Sequence, residues 1–499
     1  FSNSYLFEKW AAFPYACWAL RINRSTRNTV TKRRTVKFHS GGLAGVIAVT
    51  LITGGCIRTP ERIAVATASA APAQWGAGMQ RQSNASIDRW LDTFEDARLK
   101  QLVEEGLAAN YDLQASAARV QEALAQARIE GAPRLPQVDL QASGERFQDN
   151  FVGIDGEPAK FLTNSFRLGV DISWELDVWG RIRASRDASR AEGVAAQRDF
   201  QAARLSLAAR IAQAWYRLVE ARHQVEVAES SIKDRRTIAG LVRGRYELGL
   251  SQGLELRLAE TDLATAEAQL ASVRNQLQLA QRDLELLLGR YPRAGLTADK
   301  QLPALPKPAP AGLPAQLLER RPDLLAAQAR LNAADQRVAS AQAALLPRFT
   351  LTGGGGIRSQ DLDALFSPAS AVWNVAGGLL QPLFTGGRLS NEIKRNEARV
   401  VEALANYRQT ALTAFREVEQ TLAAEEWLRG QEQSLLAAAR HAEENKQAVV
   451  YAYRNGLADI LTLLDNYRSV LSTRSDHLAV KRQLLNNRID LYLALGGGF

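Results

Sequence analysis

Residues 207–232 read LAARIAQAWYRLVEARHQVEVAESSI, and apolar side chains recur along them at alternating spacings of four and three. Residues 256–287 show the same alternation. Such a heptad pattern keeps one stripe of a helix against a partner. The stripe consists of Leu207, Ile211, Ala214, Leu218, Ala221, Val225, Ala228 and Ile232, followed by Leu256, Ala259, Leu263, Ala266, Leu270, Val273, Leu277, Ala280, Leu284 and Leu287. Residues 181–288 are therefore predicted to form two antiparallel helices joined at a glycine turn, 249–253.

The predicted helical hairpin is larger than the core of a compact domain. At about 1.5 Å per residue, its first helix, 181–248, would be roughly 100 Å long. A helix of that length has to bury its apolar stripe against other hairpins rather than in a domain of its own.

A second copy of the hairpin lies at residues 388–495. Its glycine anchors follow those of the first copy by 207 residues, in the pairs Gly180/Gly387, Gly249/Gly456 and Gly289/Gly496. Upstream the offset is 211 residues, in the pairs Asp112/Asp323, Arg119/Arg330 and Pro136/Pro347. A constant register at this many positions indicates an internal duplication. The predicted repeats are 90–290 and 315–499, and the linker 291–314 contains six prolines that prevent a continuous helix.

Each repeat also contains a stretch in which the hydrophobic period changes to two, the period of a strand. We predict strand hairpins at 137–175 and 349–384, with strands of about ten residues and a polar loop at 148–160 in the first hairpin. One face of these strands is apolar, and its clearest members are Phe166, Leu168, Val170, Ile172, Trp373, Val375 and Leu379.

Amphipathic strands of this kind fit a transmembrane β-barrel whose outward face meets lipid. Four strands cannot close a barrel, because small barrels need about eight. Open strand edges are not tolerated in lipid either. If the strands lie in a membrane, several chains must therefore build the barrel together. The alternative is a pair of soluble hairpins that cap a helical bundle.

Residues 1–55 are predicted to be upstream sequence followed by an export signal. A basic cluster at 32–37 precedes the uncharged run 41–55, which is shorter than the roughly 20 apolar residues of a membrane-spanning helix. The run ends in Leu51-Ile52-Thr53-Gly54-Gly55-Cys56, which resembles a bacterial lipoprotein signal, although Thr53 stands where leucine is usual. We predict a lipid anchor on Cys56, sorting to the outer membrane, and a tether at 56–89. The alternative is an ordinary secretory signal with an incidental cysteine.

The charge and residue chemistry argue against several classes of function. The formal net charge is +9, but eight Lys or Arg and only one acid lie in residues 1–55. The rest of the chain therefore has little of the excess positive charge that nucleic-acid binding needs. His223, His441 and His477 have no second ligand at metal-binding spacing. No phosphate loop or nucleophile elbow occurs. We therefore predict no enzymatic activity, no metal and no cofactor other than the lipid on Cys56.

Five motifs together resemble the TolC-like outer membrane factor family of tripartite efflux pumps, in particular its OprM/NodT-type lipoprotein branch. The resemblance covers residues 90–496. The motifs are Asn110-Tyr111-Asp112-Leu113, Trp174-Glu175-Leu176-Asp177-Val178-Trp179-Gly180-Arg181, Arg320-Arg321-Pro322-Asp323-Leu324, Gln381-Pro382-Leu383-Phe384-Thr385-Gly386-Gly387-Arg388 and Tyr453-Arg454-Asn455-Gly456.

This resemblance implies an α+β membrane protein that works as a homotrimer. The duplicated helical hairpins would form a trimeric periplasmic α-barrel, and the four strands of each chain would contribute to a twelve-stranded transmembrane β-barrel. The neighbouring copies in the trimer would be the partners that the long helices and open strands require.

The resemblance also implies a periplasmic gate near the turn of the second hairpin. Leu461 would form an apolar constriction, Asp465 and Arg468 a polar ring, and Tyr453 part of the network between helices. The alternative is that Asp465 and Arg468 form an ordinary surface pair one helical turn apart. The turns implied as docking points for a periplasmic adaptor are Gly249-Leu250-Ser251 and Gly456-Leu457-Ala458, which could equally be plain helix reversals.

The function implied is a passive exit duct in the outer membrane of a Gram-negative bacterium, for drugs or other small toxic compounds. Its partners would be a periplasmic adaptor of the membrane fusion protein class, an inner-membrane pump such as an RND transporter, and outer-membrane lipid. A coiled-coil periplasmic scaffold lipoprotein and a duct for protein secretion are the alternatives. The cargo cannot be read from this chain, because in such systems the pump selects it.

Overall fold

A computed structural model describes residues 75–76, 89–152, 158–298, 301–309, 312 and 314–498. Cys56, the predicted signal and most of the predicted tether lie outside these residues. Short 3₁₀ turns apart, the described chain contains eight helices and four strands. The helices are α1 (Ala97–Ala109), α2 (Tyr111–Gly131), α3 (Arg181–Glu247), α4 (Gly253–Leu287), α5 (Pro314–Arg320), α6 (Pro322–Ala343), α7 (Arg388–Arg454) and α8 (Ile460–Ala494). The strands are β1 (Gln137–Val152), β2 (Pro158–Leu176), β3 (Arg348–Ser359) and β4 (Ala371–Leu380).

The long helices reproduce the duplication residue for residue. Helices α3 and α7 are both 67 residues long, which corresponds to roughly 100 Å. Helices α4 and α8 are both 35 residues long. Every start and end in the second hairpin follows its counterpart by 207 residues (388 − 181, 454 − 247, 460 − 253 and 494 − 287). The two repeats therefore contain the same helical hairpin.

Burial confirms the heptad stripe of the first hairpin. All of its predicted members are buried or half-buried in α3 and α4. Helix α3 packs against α4 over one part of its length and against α2 and α6 over the rest, and it also contacts α8. The stripe is thus covered within one chain by the pairing of α3 with α4 and by α8.

The short helices α2 and α6 are joined to the ends of the returning helices by equivalent contacts. Asn110 Nδ2 donates to the carbonyl of Leu287 at 2.9 Å, and its Oδ1 caps α2 by accepting from the Leu113 N–H at 3.0 Å. Arg321, the counterpart of Asn110 at an offset of 211, donates through Nη1 to the carbonyl of Ala494 at 3.1 Å. Since Ala494 is the counterpart of Leu287 at an offset of 207, the duplication preserves the contact while changing the donor.

The four strands form one antiparallel sheet in the order β1-β2-β3-β4. The predicted length of about ten residues is correct for β4 but wrong for β1 and β2, which have 16 and 19 residues. The predicted polar loop at 148–160 is also wrong at both ends, because the ladder between the two strands continues as far as Val152 and Pro158. Strand β4 ends at Leu380, before the predicted end of the second hairpin at residue 384.

The cross-strand register puts most of the apolar residues of the four strands on one face. Leu140 lies opposite Val170, Ile172 opposite Gly353, and Gly353 opposite Val375. The opposite face is mainly polar on β1, β2 and β3, whereas on β4 it also carries Val372 and Leu380. On β2, Arg167 Nη2 donates to Asp171 Oδ1 at 2.5 Å. The sheet is therefore amphipathic over β1, β2 and β3, and less sharply so at β4.

The joint between β2 and α3 is fixed by the side chains of the Trp174–Arg181 motif. Arg181 forms a two-point ion pair with Glu175, at 3.1 and 2.9 Å. Asp177 accepts from the first free amides of α3, those of Ile182 and Arg183, at 2.9 and 2.8 Å. This carboxylate supplies the cap that the helix start needs.

The main core lies where the short helices meet the middle of the long ones. Trp90 stacks on Tyr492 with ring centroids 5.8 Å apart. Trp75, within the predicted tether, is buried beside Phe415 and donates through Nε1 to the carbonyl of Gly312 at 2.9 Å. The interpretation of 56–89 as a plain tether missed this anchor point. Among the described residues, no helix combines the length and apolarity needed to cross a bilayer.

Candidate functional site at the turns of the long helices

Both long hairpins reverse through the same glycine-dependent turn. Gly249 has a φ of +71° and Gly456 a φ of +72°, a region that favours glycine. In the first turn the Leu250 N–H donates to the Arg245 carbonyl at 2.8 Å, and the Leu457 N–H makes the equivalent bond at 2.8 Å in the second. These bonds define a Schellman cap, which satisfies the last carbonyls of each helix.

The two turns are tied to each other and present leucines to solvent. Arg245 Nη1 donates to the carbonyl of Arg454 at 3.0 Å and thus bridges the two turns. Leu250 and Leu457 are exposed. The predicted docking residues therefore lie at one end of the molecule, on two turns held side by side. An exposed apolar residue in each turn is suited to contact another protein.

A hydrogen-bonded group behind the turns links α7 to α4. Tyr453 is only 3% exposed, and its hydroxyl donates to Glu255 Oε2 at 3.1 Å. Ser251 Oγ donates to the same carboxylate oxygen at 2.5 Å. The Arg245 guanidinium lies 5.4 Å from the centre of the Tyr453 ring. Burial, followed by the bond to Glu255, raises the pKa of Tyr453 to about 12. The hydroxyl therefore keeps its proton, and its bond, throughout the neutral range.

A buried carboxylate further along α4 joins three helices. Asp262 and Arg235 are both only 4% exposed, and Arg235 Nε donates to Asp262 Oδ2 at 2.6 Å. The other carboxylate oxygen, Oδ1, accepts from Arg468 Nε at 3.0 Å. Asp262 thus holds α3, α4 and α8 together. Removing one member of a buried ion pair typically costs about 3–5 kcal/mol, because it leaves a charge without compensation.

Leu461 and Asp465 lie on the exposed face of α8 in this chain. The alternative, an ordinary surface pair of Asp465 with Arg468, is not formed: within the described part of the chain Arg468 is bound to Asp262, and Asp465 has no ion pair. The physical reason is that the buried Asp262 carboxylate offers Arg468 a desolvated, charge-assisted bond. An exposed partner one turn away on the same helix offers only a few tenths of a kcal/mol. The polar ring of several copies stays a prediction.

Sequence reasoning located Tyr453 and Arg468 but missed Asp262, Arg235 and Glu255, the charged groups that bind them. The heptad pattern selects apolar residues, so it passes over a carboxylate next to the stripe member Leu263. A signal was nevertheless present, since Arg235 and Asp262 lie at nearly the same distance on either side of the turn at Gly249. Two such residues face each other in an antiparallel hairpin.

The sheet is the second functional surface. The predicted lipid-facing residues all lie on its apolar face: Phe166, Leu168, Val170, Ile172, Trp373, Val375 and Leu379. The outer edges of β1 and β4 have no strand partner among the described residues. A sheet with one apolar face and two open edges, continued by helical hairpins of about 100 Å, defines a protein that forms a channel through a membrane and a tunnel beyond it.

The chain belongs to the outer membrane efflux protein family. The model of that family matches twice, over residues 102–290 and 313–497. The starts of the two matches differ by 211 and their ends by 207, the same offsets as in the sequence. Membership of a family of efflux channels confirms the prediction that the chain is not an enzyme.

The curated relatives and solved structures agree with this assignment. The cation efflux system protein CusC of Escherichia coli strain CFT073 is 32% identical over 416 residues, which cover 82% of this chain and 88% of CusC. The pyoverdine export outer membrane protein OpmQ of Pseudomonas putida is 33% identical over 451 residues, covering 88% and 94%. The outer-membrane channel OprN superposes with a TM-score of 0.79 at 30% identity, covering 89% of this chain and 99% of OprN.

The predicted fold, function and location are therefore confirmed. The chain is an outer-membrane efflux channel protein of Gram-negative type, with long helices for a helical barrel and a sheet for a β-barrel. The alternative of a scaffold without a channel is wrong, because the relatives are efflux and export proteins and the structural neighbours are channels.

Proposed function

We propose that three copies of this chain form a lipid-anchored exit duct. In it a periplasmic adaptor binds the helix turns, and an inner-membrane pump such as an RND transporter supplies the energy. The two turns close the periplasmic end of the duct, and the twelve strands of three copies open through the outer membrane. The observation that carries the proposal is an amphipathic four-stranded sheet with two open edges, since such a sheet is stable in lipid only when other copies close it.

The helices support assembly from several copies in the same way as the sheet. Helix α4 is packed chiefly against α3, and α7 against α6 and α8. Exposed apolar side chains remain on both, among them Leu254, Leu279 and Leu286 on α4 and Val401, Leu412 and Trp427 on α7. A neighbouring copy would cover these two flanks and close a tunnel. Three copies with four long helices each give the twelve helices that we expect from the family resemblance.

The contacts at the tip, the end of the long hairpins that carries the turns at Gly249 and Gly456, support a closed resting state. Asp262 and Glu255 belong to the first repeat, and their partners Arg468 and Tyr453 to the second. Both bonds pull the second hairpin onto the first. Opening would require these two bonds to break, after which Arg468 would be free to join Asp465 at the tunnel wall. Leu461 is exposed on the same helix, where three copies would bring it to a narrow apolar ring.

The anchor on Cys56 is supported by the lipoprotein-like signal that ends at this residue. We propose that this lipid assists delivery and orientation of the duct. The barrel itself supplies the lasting attachment.

The cargo is not set by family membership. CusC is named for cations and OpmQ for pyoverdine, although both are about equally similar to this chain. Similar ducts thus serve very different molecules, and we propose that the pump selects the cargo here too.

Single-channel recording in planar bilayers tests the proposed duct and its gate together. Purified protein should form channels with a small resting conductance, and Arg468→Ala should raise that conductance because it removes a bond between the repeats. Asp465→Ala, one turn away and without an ion pair among the described residues, should have a much smaller effect. Protein that forms no channels at all contradicts the duct, whereas equal conductance in the two variants contradicts the gate.

A further inference from the structure

The duplication is exact in the pairing of strands as well as in the helices. In the first hairpin Gln137 pairs with Ser173, and in the second Arg348 pairs with Leu380. Arg348 follows Gln137 by 211 residues and Leu380 follows Ser173 by 207, the two offsets of the repeats. Each hairpin thus has the same register, and the four-residue change in offset falls between the paired strands without shifting them.

The pairing of β2 with β3 shows how one repeat joins the next. Within this chain Ile172 lies opposite Gly353, and Leu176 opposite Phe349. The two open edges of the sheet, β4 and β1, correspond through the duplication to the paired strands β2 and β3. Strand β4 is the counterpart of β2 at an offset of 207, and β1 is the counterpart of β3 at an offset of 211. In a closed barrel in which every repeat pairs with the next in the same way, β4 of one copy and β1 of the next would have the same register as β2 and β3 within one copy.

We propose that β4 of one copy pairs antiparallel with β1 of the next in the register that places Leu379 opposite Ala142. This inference rests on the proposed assembly of several copies and adds the residue pairs that close it. The pair Leu379 and Ala142 is the counterpart of Ile172 and Gly353. The same register places Ala376 opposite Glu145 and Ala371 opposite Asn150.

The faces of the strands support this register independently. Leu379 and Val375 lie on the apolar face of the sheet, as do Ala142 and Leu140. The proposed pairing keeps all of them on one side. A shift by a single residue would turn the apolar face of the neighbouring copy inward, because strand side chains alternate. Only registers that differ by two residues remain in competition.

An exposed apolar side chain beyond the end of β4 supports the same choice. Leu383 and Phe384 follow β4 and are 93% and 90% exposed in the single chain. Continuing the proposed register beyond β4 brings Leu383 opposite Val138 of the neighbouring copy, which is also exposed. Within the chain the corresponding pair, Leu176 and Phe349, is the last of the β2–β3 ladder. The neighbouring β1 would therefore extend along the segment that carries Leu383.

Cysteine cross-linking in outer membranes tests the register directly. Leu379→Cys with Ala142→Cys in one chain should give covalent oligomers on oxidation with copper phenanthroline. Within one chain the two positions lie on opposite edges of a four-stranded sheet, at least three strand spacings or about 14 Å apart, so any disulfide joins different copies. Ala376→Cys with Glu145→Cys provides a second matched pair of the alternate hydrogen-bonding type.

The control places the cysteines two residues out of register, as Leu379→Cys with Leu140→Cys. Directly opposite Cβ atoms lie about 4.5–5.5 Å apart and diagonal ones about 7–8 Å, while a disulfide needs about 4 Å, so we expect about tenfold less product from the shifted pair. Variants with one introduced cysteine report any disulfide made with Cys56.

Each outcome decides the proposal. Preferential cross-linking of the matched pairs establishes the register. Equal or better cross-linking of the shifted pair overturns the register but leaves the assembly intact. If no pair cross-links in protein that still has the mass of an oligomer in detergent, the register is likewise overturned and the assembly left intact. Monomeric protein in detergent overturns the proposed assembly itself, and the register with it.

Discussion

Arg468 in the second repeat binds Asp262 in the first, with Nε and Oδ1 3.0 Å apart. The same carboxylate is held from its other side by Arg235 at 2.6 Å. Because Asp262 and Arg235 are buried and Arg468 is largely exposed, the two bonds are not equivalent. The inner bond holds the first hairpin together, and the outer bond ties the second hairpin to it. An opening movement of α8 would break the outer bond first.

Asp262→Asn should loosen the tip of the tunnel. The change removes the negative charge that compensates Arg235 and Arg468, and loss of a buried partner typically costs about 3–5 kcal/mol. We expect a higher resting conductance in planar bilayers and faster proteolysis near the turns. Glu267→Gln is the matched control on the same helix, because its pair with Arg236 is exposed and such pairs contribute about 0–1 kcal/mol. A control effect as large as that of Asp262→Asn would contradict the assignment.

Tyr453→Phe should loosen the tip less than Asp262→Asn does, by weakening the second link between the repeats, Tyr453 to Glu255. It removes the hydroxyl bonded to Glu255 but leaves the ring beside Arg245. A hydrogen bond to a charged group contributes about 1.5–3 kcal/mol. We therefore expect a conductance between those of the unaltered protein and Asp262→Asn. A conductance equal to that of the unaltered protein would show that the link does not restrain the tip.

The same tyrosine predicts a dependence of tip stability on alkaline pH. Its pKa is raised from 10.0 to about 12, so the folded tip binds the phenolic proton more tightly than the unfolded chain does. The contribution is complete below pH 10 and is lost as the pH rises through 12. The difference in tip protection between unaltered protein and Tyr453→Phe, measured by limited proteolysis, should therefore shrink over that interval. A difference that grows with pH would contradict this sign.

Gly356→Ala should block assembly of the sheet. A Cβ at this position would lie 2.3 Å from the Leu168 carbonyl oxygen and 2.4 Å from the Gly169 Cα, both backbone atoms. Overpacking of this kind costs about 1–3 kcal/mol or more. Gly377→Ala is the matched control, since nothing lies within 4 Å of its Cβ. We expect only the first variant to be depleted from outer membranes, and equal depletion of both would show that the contact is not limiting.

Arginine at Leu168 or Val170 should impair insertion if these residues face lipid. The cost at the middle of a bilayer is about 2–4 kcal/mol for each charge. Thr352→Arg provides the control, because Thr352 is exposed on the polar face of the same sheet. The yield of folded protein in outer membranes is the measurement. Normal yield of the Leu168 and Val170 variants would refute the lipid-facing assignment.

Cys56→Ala should abolish incorporation of labelled fatty acid while leaving the mass of the detergent-extracted oligomer unchanged. The anchor is proposed to assist delivery, whereas the strands hold the protein in the membrane. Persistent labelling would show that the lipid is attached elsewhere. Unaltered protein that takes up no label would show that the signal is of the ordinary secretory type.

The sequence predicted the architecture because the fold depends on long periodic patterns. Ten apolar positions of α4 and the repeated glycines at Gly249 and Gly456 define two hairpins without any tertiary information. The strand lengths were underestimated, because polar residues near Gln148 and Lys160 continue the ladder at a hairpin end where no core demands apolar side chains. Alternation alone cannot separate such an extension from a loop.

The charged links at the tip were predicted less well than the helices that carry them. Arg468 has one possible ion-pair partner on its own helix, Asp465, and a stronger one on another helix, the buried Asp262. A single sequence shows the first spacing directly, whereas the second depends on how α8 packs against α4. The contact was therefore decided by burial of the acceptor, which only the packed structure reveals.

The mass of the protein extracted in detergent from separated outer membranes tests the central claim most directly. We expect a particle of three chains, each of 54.7 kDa before any processing, in the outer-membrane fraction, because one chain leaves both edges of its sheet open. A monomer, or protein released from the membrane by salt or alkali without detergent, would contradict the duct.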